Sequence, residues 1–196
     1  MLLYVPQPAR PSSSPWVLPE ADPLPRKGLP LSLTWNTRVE IPADVDIIRD
    51  ITLRAFGRQV EVDFLDALRA DPIAWLPGLS IVATSPDDHP VAYSLLTRCH
   101  IGDTAVLSLG PVAVLPAYQK QGAGGASVMA ALATARDRGE RSVVVLGHAD
   151  YYPRFGFRQA TEFGIHHPQY DGPNLMALVL DGHAVPAGDL VYPVNA

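Results

Sequence analysis

The spacing of apolar residues predicts two helices and a hairpin in the first half of the chain. Apolar side chains recur at helical spacing over residues 44–56, and Gly57 can end that helix. A second, shorter helix is predicted over residues 60–70, with Asp71-Pro72 as its stop. Apolar runs rich in strand-forming residues follow, and they predict strands over residues 79–84, 90–101 and 104–114, the last two joined at Gly102-Asp103.

The third of these strands carries an irregularity. Leu107 and Leu109 alternate with small residues, and Val112 and Val114 then resume the alternation one position out of phase. A β-bulge at Gly110-Pro111 absorbs such a slip, and proline there lacks the amide that a neighbouring strand would need. We therefore predict that the strand bends away from a neighbour at this point. The alternative is that the strand ends at Gly110.

The second half of the chain predicts a strand–helix–strand unit. Residues 122–138 have a clear apolar helical face, and Gly139 supplies a stop. The apolar run 142–146 is typical of a strand covered on both faces. A strand, a helix and a strand within about 35 residues predict a crossover between parallel strands. A helical turn over residues 151–155 and strands over 157–165 and 175–180 are predicted to follow.

Composition divides the chain into a short leader and one domain. Eight prolines fall within the first thirty residues, and they exclude regular helix or central strand there. Residues 1–33 are therefore predicted to be a proline-rich leader, flexible or extended. Over the whole chain hydrophobic residues make up 47% and charged residues 18%, which is enough apolar material for a core. Residues 34–196 are predicted to form a single domain.

Charge and cysteine content narrow the classes of partner. A formal net charge of −5 argues against nucleic acid or an anionic membrane as the main partner. No apolar run approaches the roughly 20 residues that span a bilayer. Cys99 is the single cysteine, so no disulfide forms within the chain, and we expect a cytoplasmic protein. Cys99 lies in an apolar stretch and is interpreted as a packing residue rather than a nucleophile.

The turn before the long helix is the strongest candidate for chemistry. Gly122, Gly124 and Gly125 lie where the helix begins, and the first amides of a helix lack internal partners. Such a turn suits a phosphate or diphosphate, although glycines also serve a tight turn that binds nothing. The segment lacks the Gly-Lys-Ser/Thr ending of a P-loop, and Ser127 stands where a dinucleotide fingerprint needs glycine.

A third motif fits, and it carries a family resemblance. Gln119-Lys120-Gln121-Gly122-Ala123-Gly124 matches the pattern Q/R-x-x-G-x-G/A, and Tyr152 to Phe157 matches Tyr-x-x-x-Gly-Phe about thirty residues later. Both patterns are signatures of the GCN5-related N-acetyltransferases (GNAT superfamily), which the chain resembles over residues 38–180. The segment from Leu146 to Tyr152 looks closer to the branch of predicted acetyltransferases similar to YhbS.

The resemblance implies an α/β fold and a cofactor site. The expected sheet is mixed and mostly antiparallel, splayed between a parallel pair of central strands, with helices on both faces. The backbone of Val112, Ala113 and Val114 would pair with the pantetheine arm of acetyl-coenzyme A (acetyl-CoA). Its diphosphate would lie against the turn, which implies cofactor contacts from Gln119, Gln121, Gly122, Ala123, Gly124 and Gly125.

The resemblance also implies direct attack by the primary amine of an acceptor on the acetyl thioester. Tyr152 is the candidate general acid for the departing thiolate, and the choice over Tyr151 depends on the spacing to Gly156. No carboxylate takes the place of the glutamate that some members use as a base, and His148 is the candidate that remains.

Several alternatives stay open. The missing glutamate, together with a missing asparagine after the strand 142–146, also fits a non-catalytic acyl-CoA-binding module. A nucleotide-binding protein unrelated to coenzyme A is the third option. The acceptor is expected to be a small-molecule or peptide amine, and a homodimer is compatible with the chain. No metal site is predicted, since the adjacent His166 and His167 on a strand would point to opposite faces.

Overall fold

The computed structural model describes residues 35–193, which form an open sheet with three α-helices. The proline-rich leader predicted for residues 1–33 lies outside the described residues. The helices are α1 (Val45–Phe56), α2 (Gln59–Ala70) and α3 (Ala123–Asp137). The strands are β1 (Asn36–Val39), β2 (Ser80–Thr84), β3 (Pro90–Ile101), β4 (Thr104–Val114), β5 (Ser142–Leu146), β6 (Arg158–Gln159), β7 (Ile165–His166), β8 (Leu175–Val179) and β9 (Gly188–Val191).

The sheet is mixed and mostly antiparallel, as predicted. Its main order is β1-β2-β3-β4-β5-β8-β6, and β9 pairs with both β3 and β7. The central pair β4 and β5 is parallel, because α3 connects them as a crossover. Residues at alternate positions of β5 face different apolar clusters. Val143 and Val145 pack with α3, whereas Val144 packs on the opposite face. The short strand is therefore covered on both sides.

Strand β4 bends where the sequence predicted a bulge. Ser94 of β3 pairs with Val112, but Leu96 pairs with Leu109, so β4 contains one more residue than β3 between these two pairs. The parallel pairing with β5 stops at Leu109, while β4 continues to Val114. The two central strands are thus joined along one half and separate beyond the bulge, which confirms the predicted splay.

Helices α1 and α2 cover the opposite face of the sheet from α3. Ile48 and Ile51 of α1 are fully buried against Leu65 of α2 and Tyr93 of β3. Gly57 ends α1 in the left-handed conformation with φ of 69°, and its amide bonds to the carbonyl of Leu53 at 2.7 Å. The C-terminal end of α1 is thereby fixed close to the open half of the sheet.

Three elements differ from the sequence predictions. Strands β1 and β9 were not predicted, since each has four residues and, taken together, most of these are exposed. The single strand predicted for residues 157–165 is wrong. The chain forms β6, then a 3-10 helix over Ala160–Phe163, and then β7. Gly164, with φ of 70°, ends that 3-10 helix, and Glu162 forms an ion pair with Arg158 four residues earlier. None of the helices within residues 35–193 is long and apolar enough to cross a membrane.

Candidate active site

A cleft of 530 Å³ opens at the half of the sheet where β4 has left β5. Six of the nine predicted cofactor-binding residues line it, and so do both predicted catalytic residues: Val112, Val114, Gln119, Gly122, Gly124, Gly125, His148 and Tyr152. The fold therefore brings together two motifs that are about thirty residues apart in the sequence. Tyr151, the alternative to Tyr152 in the sequence, and Lys120 of the glycine motif also line the cleft. Sequence reasoning did not single out the other lining residues, which are Ala55, Phe56, Tyr118, Arg154 and Phe155.

The start of α3 presents backbone amides to this cleft. Gly122 takes the N-cap position in a left-handed conformation, with φ of 94°, and no side chain caps the helix. The amide of Ala126 bonds to the carbonyl of Gly122 at 2.9 Å, which is the usual helical pattern. The amides of residues 123–125 precede that bond, so they have no partner within the helix. Their alignment with the helix dipole makes the turn suited to an anion.

Gly124 is required where the helix passes the end of β4. A β-carbon at this position would lie 2.8 Å from Cγ2 of Val114 and 3.7 Å from the hydroxyl of Tyr151. Hydrogen bonds of Ser127 also connect this turn to the sheet. The hydroxyl of Ser127 donates to the carbonyl of Gly124 at 3.0 Å and lies 2.7 Å from the hydroxyl of Ser94 on β3. The glycine turn is therefore held close against β4 at the floor of the cleft.

The other three predicted cofactor-binding residues do not line the cleft. Ala113 and Ala123 are buried in the apolar cluster that contains α1. The side chain of Gln121 turns back and donates to the carbonyl of Ala117 at 2.8 Å. A contact from these residues to a cofactor would have to use backbone atoms, and their role stays a prediction.

Tyr152 lines the cleft but is largely buried. The residue is 9% exposed, and its ring packs edge-on against Tyr151 and Phe157. The carbonyl of His148 accepts the amides of Tyr151 and Tyr152, at 2.9 and 3.4 Å, which fixes the turn that carries both rings. Burial, and to a lesser degree the neighbouring Tyr151, raises the pKa of Tyr152 well above its usual range. The phenol is therefore protonated at neutral pH.

The charged residues of the cleft wall are basic. Arg154 lies over the ring of Tyr151, with its guanidinium carbon 4.5 Å from the ring centroid, and its Nε donates to the carbonyl of Tyr151 at 2.9 Å. Lys120 lies in the glycine turn, with φ of 61°. No Asp or Glu stands among the described residues that form the wall. The electrostatics of the cleft therefore favour an anionic ligand.

The structure also places the remaining candidates. His148 is an exposed residue of the cleft wall. Ser108 of β4 is buried beside Tyr192 and does not line the cleft. Cys99 is fully buried, and burial raises the pKa of its thiol, as expected for a packing residue.

The paired histidines do not assemble a metal-binding cluster. His166 Nδ1 lies 3.0 Å from a carboxylate oxygen of Asp171, and the ring of His167 stacks on Tyr170. Within residues 35–193, the structure shows no group of three or more His, Cys, Asp or Glu side chains arranged to hold a metal ion.

The fold and the cleft together define a family. A family model described as the acetyltransferase (GNAT) family matches residues 45–157, which contain α1, the glycine turn and Tyr152. The chain belongs to this family, which confirms the resemblance seen in the sequence.

Named relatives and solved structures agree with this assignment. The chain is 37% identical over 119 residues to an uncharacterized N-acetyltransferase, YjhQ, of Escherichia coli, over 59% of this chain and 65% of YjhQ. The matched region spans just under two thirds of the length of YjhQ. A GNAT family acetyltransferase of Brucella melitensis, solved with acetyl-CoA, is 34% identical with a TM-score of 0.67, covering 82% of this chain and 96% of that one. The E. coli YhbS structure, solved with CoA, shares the fold at 24% identity and a TM-score of 0.72, covering 85% and 93%.

Proposed function

We propose that this chain is an N-acetyltransferase that moves the acetyl group of acetyl-CoA to the primary amine of a small-molecule or peptide acceptor. The observation that carries the proposal is one cleft that joins the uncapped start of α3, the end of β4 that no longer pairs with β5, and the ring of Tyr152. Such an arrangement suits an anionic, elongated thioester whose reactive end lies near a proton donor.

The cleft offers a separate support for each part of acetyl-CoA. The diphosphate would lie on the amides at the start of α3, with Lys120 and Arg154 contributing positive charge. The pantetheine arm would pair along Val112 to Val114, where β4 has no parallel neighbour. The acetyl-CoA present in the B. melitensis structure, on a chain 34% identical to this one, supports the choice of cofactor.

The proposed chemistry is direct transfer. The neutral amine attacks the thioester carbonyl, a C–N bond forms, and the C–S bond breaks with its electron pair leaving on sulfur. Tyr152 donates its proton to that thiolate and regains one from water after the transfer, and its raised pKa keeps the phenol protonated beforehand. The amine nitrogen loses a proton to water or to His148 at the cleft wall. Holding both reactants in the cleft contributes up to about 7–11 kcal/mol of the barrier reduction in favourable cases.

A non-catalytic acyl-CoA-binding module is the competing function. The wall formed by the described residues supplies no carboxylate base, and this observation favours the module. The module would bind acetyl-CoA in the same cleft, so that binding alone does not distinguish the two functions.

Two measurements test the proposal in sequence. Acetyl-CoA in a thermal-shift titration should raise the melting temperature, because a ligand that binds the native state stabilises it. A panel of small-molecule and peptide amines, assayed for release of free thiol, should then identify at least one acceptor. The absence of any shift at millimolar acetyl-CoA would overturn the cofactor assignment. Binding without thiol release on every amine would favour the module.

A further inference from the structure

Trp35, which directly precedes β1, reaches across the fold to the glycine turn. Its Nε1 donates to the carbonyl of Gln121 at 2.8 Å, a contact between residues 86 positions apart. Its ring stands edge-on to Tyr118, with centroids 6.0 Å apart and planes at 81°. A β-carbon on Gly122 would lie 3.5 Å from the same indole nitrogen. The indole therefore covers the back of the turn that faces the cleft.

The turn has a conformation that needs such a restraint. Gln121 lies between two residues in the left-handed region, Lys120 with φ of 61° and Gly122 with φ of 94°. A lysine rarely adopts that region, because its β-carbon approaches the following carbonyl. The described side-chain bonds within the turn come from residues close in sequence, such as Gln121 to Ala117. The bond from Trp35 comes from a separate element and acts on the carbonyl between the two left-handed residues.

The sheet fixes the position of the indole. Asn36, the next residue, is the first of β1 and pairs with Thr84 of β2, so the backbone beside Trp35 is part of the sheet. The ring is half-buried and packs against the apolar cluster beneath α1. The hydrogen bond thus connects the edge of the sheet to the glycine-rich turn.

We propose that Trp35 is a positioning residue that preorganises the turn for the cofactor diphosphate, so that the amides at the start of α3 need little rearrangement on binding. The choice of coenzyme A as the ligand rests on the proposed function. The restraint of the turn does not, since it follows from contacts within the chain.

The test compares Trp35→Phe with Trp75→Phe. Phenylalanine at position 35 retains an aromatic ring but removes the donor to Gln121. Trp75 lies beneath Arg69, with 4.8 Å from guanidinium to ring centroid, and does not line the cleft, so its variant controls for the loss of an indole. Three quantities are measured on the full chain: the dissociation constant of coenzyme A by calorimetry, the free energy of unfolding, and hydrogen exchange at the two bonded amides of the turn. These are the amides of Gln119 and Ala126, which donate to the carbonyls of Pro116 and Gly122.

Trp35→Phe should weaken coenzyme A binding about three- to tenfold, in line with the loss of one hydrogen bond. It should also speed exchange of the Gln119 and Ala126 amides, with exchange in β5 unchanged, and saturating coenzyme A should restore slow exchange. Trp75→Phe should leave both binding and turn exchange unchanged. Wild-type affinity or unchanged turn exchange in Trp35→Phe would overturn the proposal. Loss of unfolding free energy alone, with normal affinity, would reduce Trp35 to a packing residue.

The two proposals fail in different ways. Failure of the wild-type chain to bind coenzyme A would overturn the proposed function. The exchange measurement on the free protein would still decide whether Trp35 restrains the turn.

Discussion

A β-carbon placed on Gly147 would lie 2.3 Å from Cε2 of Tyr152. The ring of Tyr152 therefore rests directly against the backbone of Gly147, one residue beyond the end of β5. The amide of Gly147 is itself fixed by a bond to the carbonyl of Asn174, at 2.9 Å. The position of the candidate acid thus depends on the absence of a side chain five residues earlier.

Gly147→Ala should displace this ring and destabilise the fold by about 1–3 kcal/mol, the usual cost of overpacking. Turnover should fall while the dissociation constant of coenzyme A changes little. Chemical unfolding of the single and double variants gives the control. In a Tyr152→Ala background, Gly147→Ala should lower the free energy of unfolding by clearly less, because the tyrosine ring that clashes with the new β-carbon is absent. Equal costs in both backgrounds would contradict a direct clash.

Tyr152→Phe should lower turnover by about 10²-fold, the lower end of what a positioned general acid contributes. The variant keeps the packing of the ring, so affinity for coenzyme A and unfolding free energy should remain close to the wild-type values. The rate is measured with whichever amine of the panel reacts fastest. Tyr151→Phe is the matched control, since its ring contacts that of Tyr152. A larger loss in Tyr151→Phe would transfer the acid role to Tyr151.

The pH dependence of turnover should reflect the raised pKa of Tyr152. The acid acts in its protonated form, and that form is lost only as pH rises through the pKa. Because burial raises this pKa above the ordinary phenol value of about 10, turnover at saturating substrates should show no decline from Tyr152 between about pH 7 and pH 10. Steady-state rates are measured across this pH range, with a control that the chain remains folded at each pH. An alkaline decline that disappears in Tyr152→Phe would contradict the burial argument.

Gly124 and Gly125 should respond differently to alanine, although they are neighbours in the first turn of α3. A β-carbon on Gly124 would lie 2.8 Å from Val114, whereas one on Gly125 would meet only the ring edge of Phe155, at 3.9 Å. Gly125→Ala should stabilise the fold by about 0.5–1 kcal/mol through helix propensity. In Gly124→Ala the close contact of the new β-carbon with Val114 should cancel this stabilisation, and coenzyme A binding should weaken. Unfolding and calorimetry on both variants test this, and equal effects at the two positions would contradict it.

Sequence reasoning predicted the parts of this site that have a local signature. The bulge of β4 was visible as a slip in apolar phase at Gly110-Pro111, and the register of β3 with β4 confirms it. The start of α3 was visible as glycines before a helical pattern, and its bounds differ from the prediction by one residue at each end. Both features are determined by residues that are close in the sequence, so each could be predicted from a single segment.

The remaining parts arise from contacts between distant segments. Trp35 contacts the turn because the neighbouring four-residue strand β1 pairs at the edge of the sheet. That strand is too short to show an apolar alternation in the sequence. The end of α1, with Ala55 and Phe56, joins the cleft wall only because α1 packs across β3 and β4. The strand predicted for residues 157–165 failed because Phe157, Ala160 and Phe163 recur at every third position, which suits a 3-10 helix that ends at Gly164 rather than the period of two of a strand.

A structure of the chain with bound acetyl-CoA is the decisive test of the proposed cofactor site. We expect diphosphate oxygens within hydrogen-bonding distance of the amides at the start of α3, with the pantetheine arm along Val112 to Val114 and the sulfur beside the hydroxyl of Tyr152. A diphosphate bound elsewhere, or a thioester remote from Tyr152, would contradict the proposal.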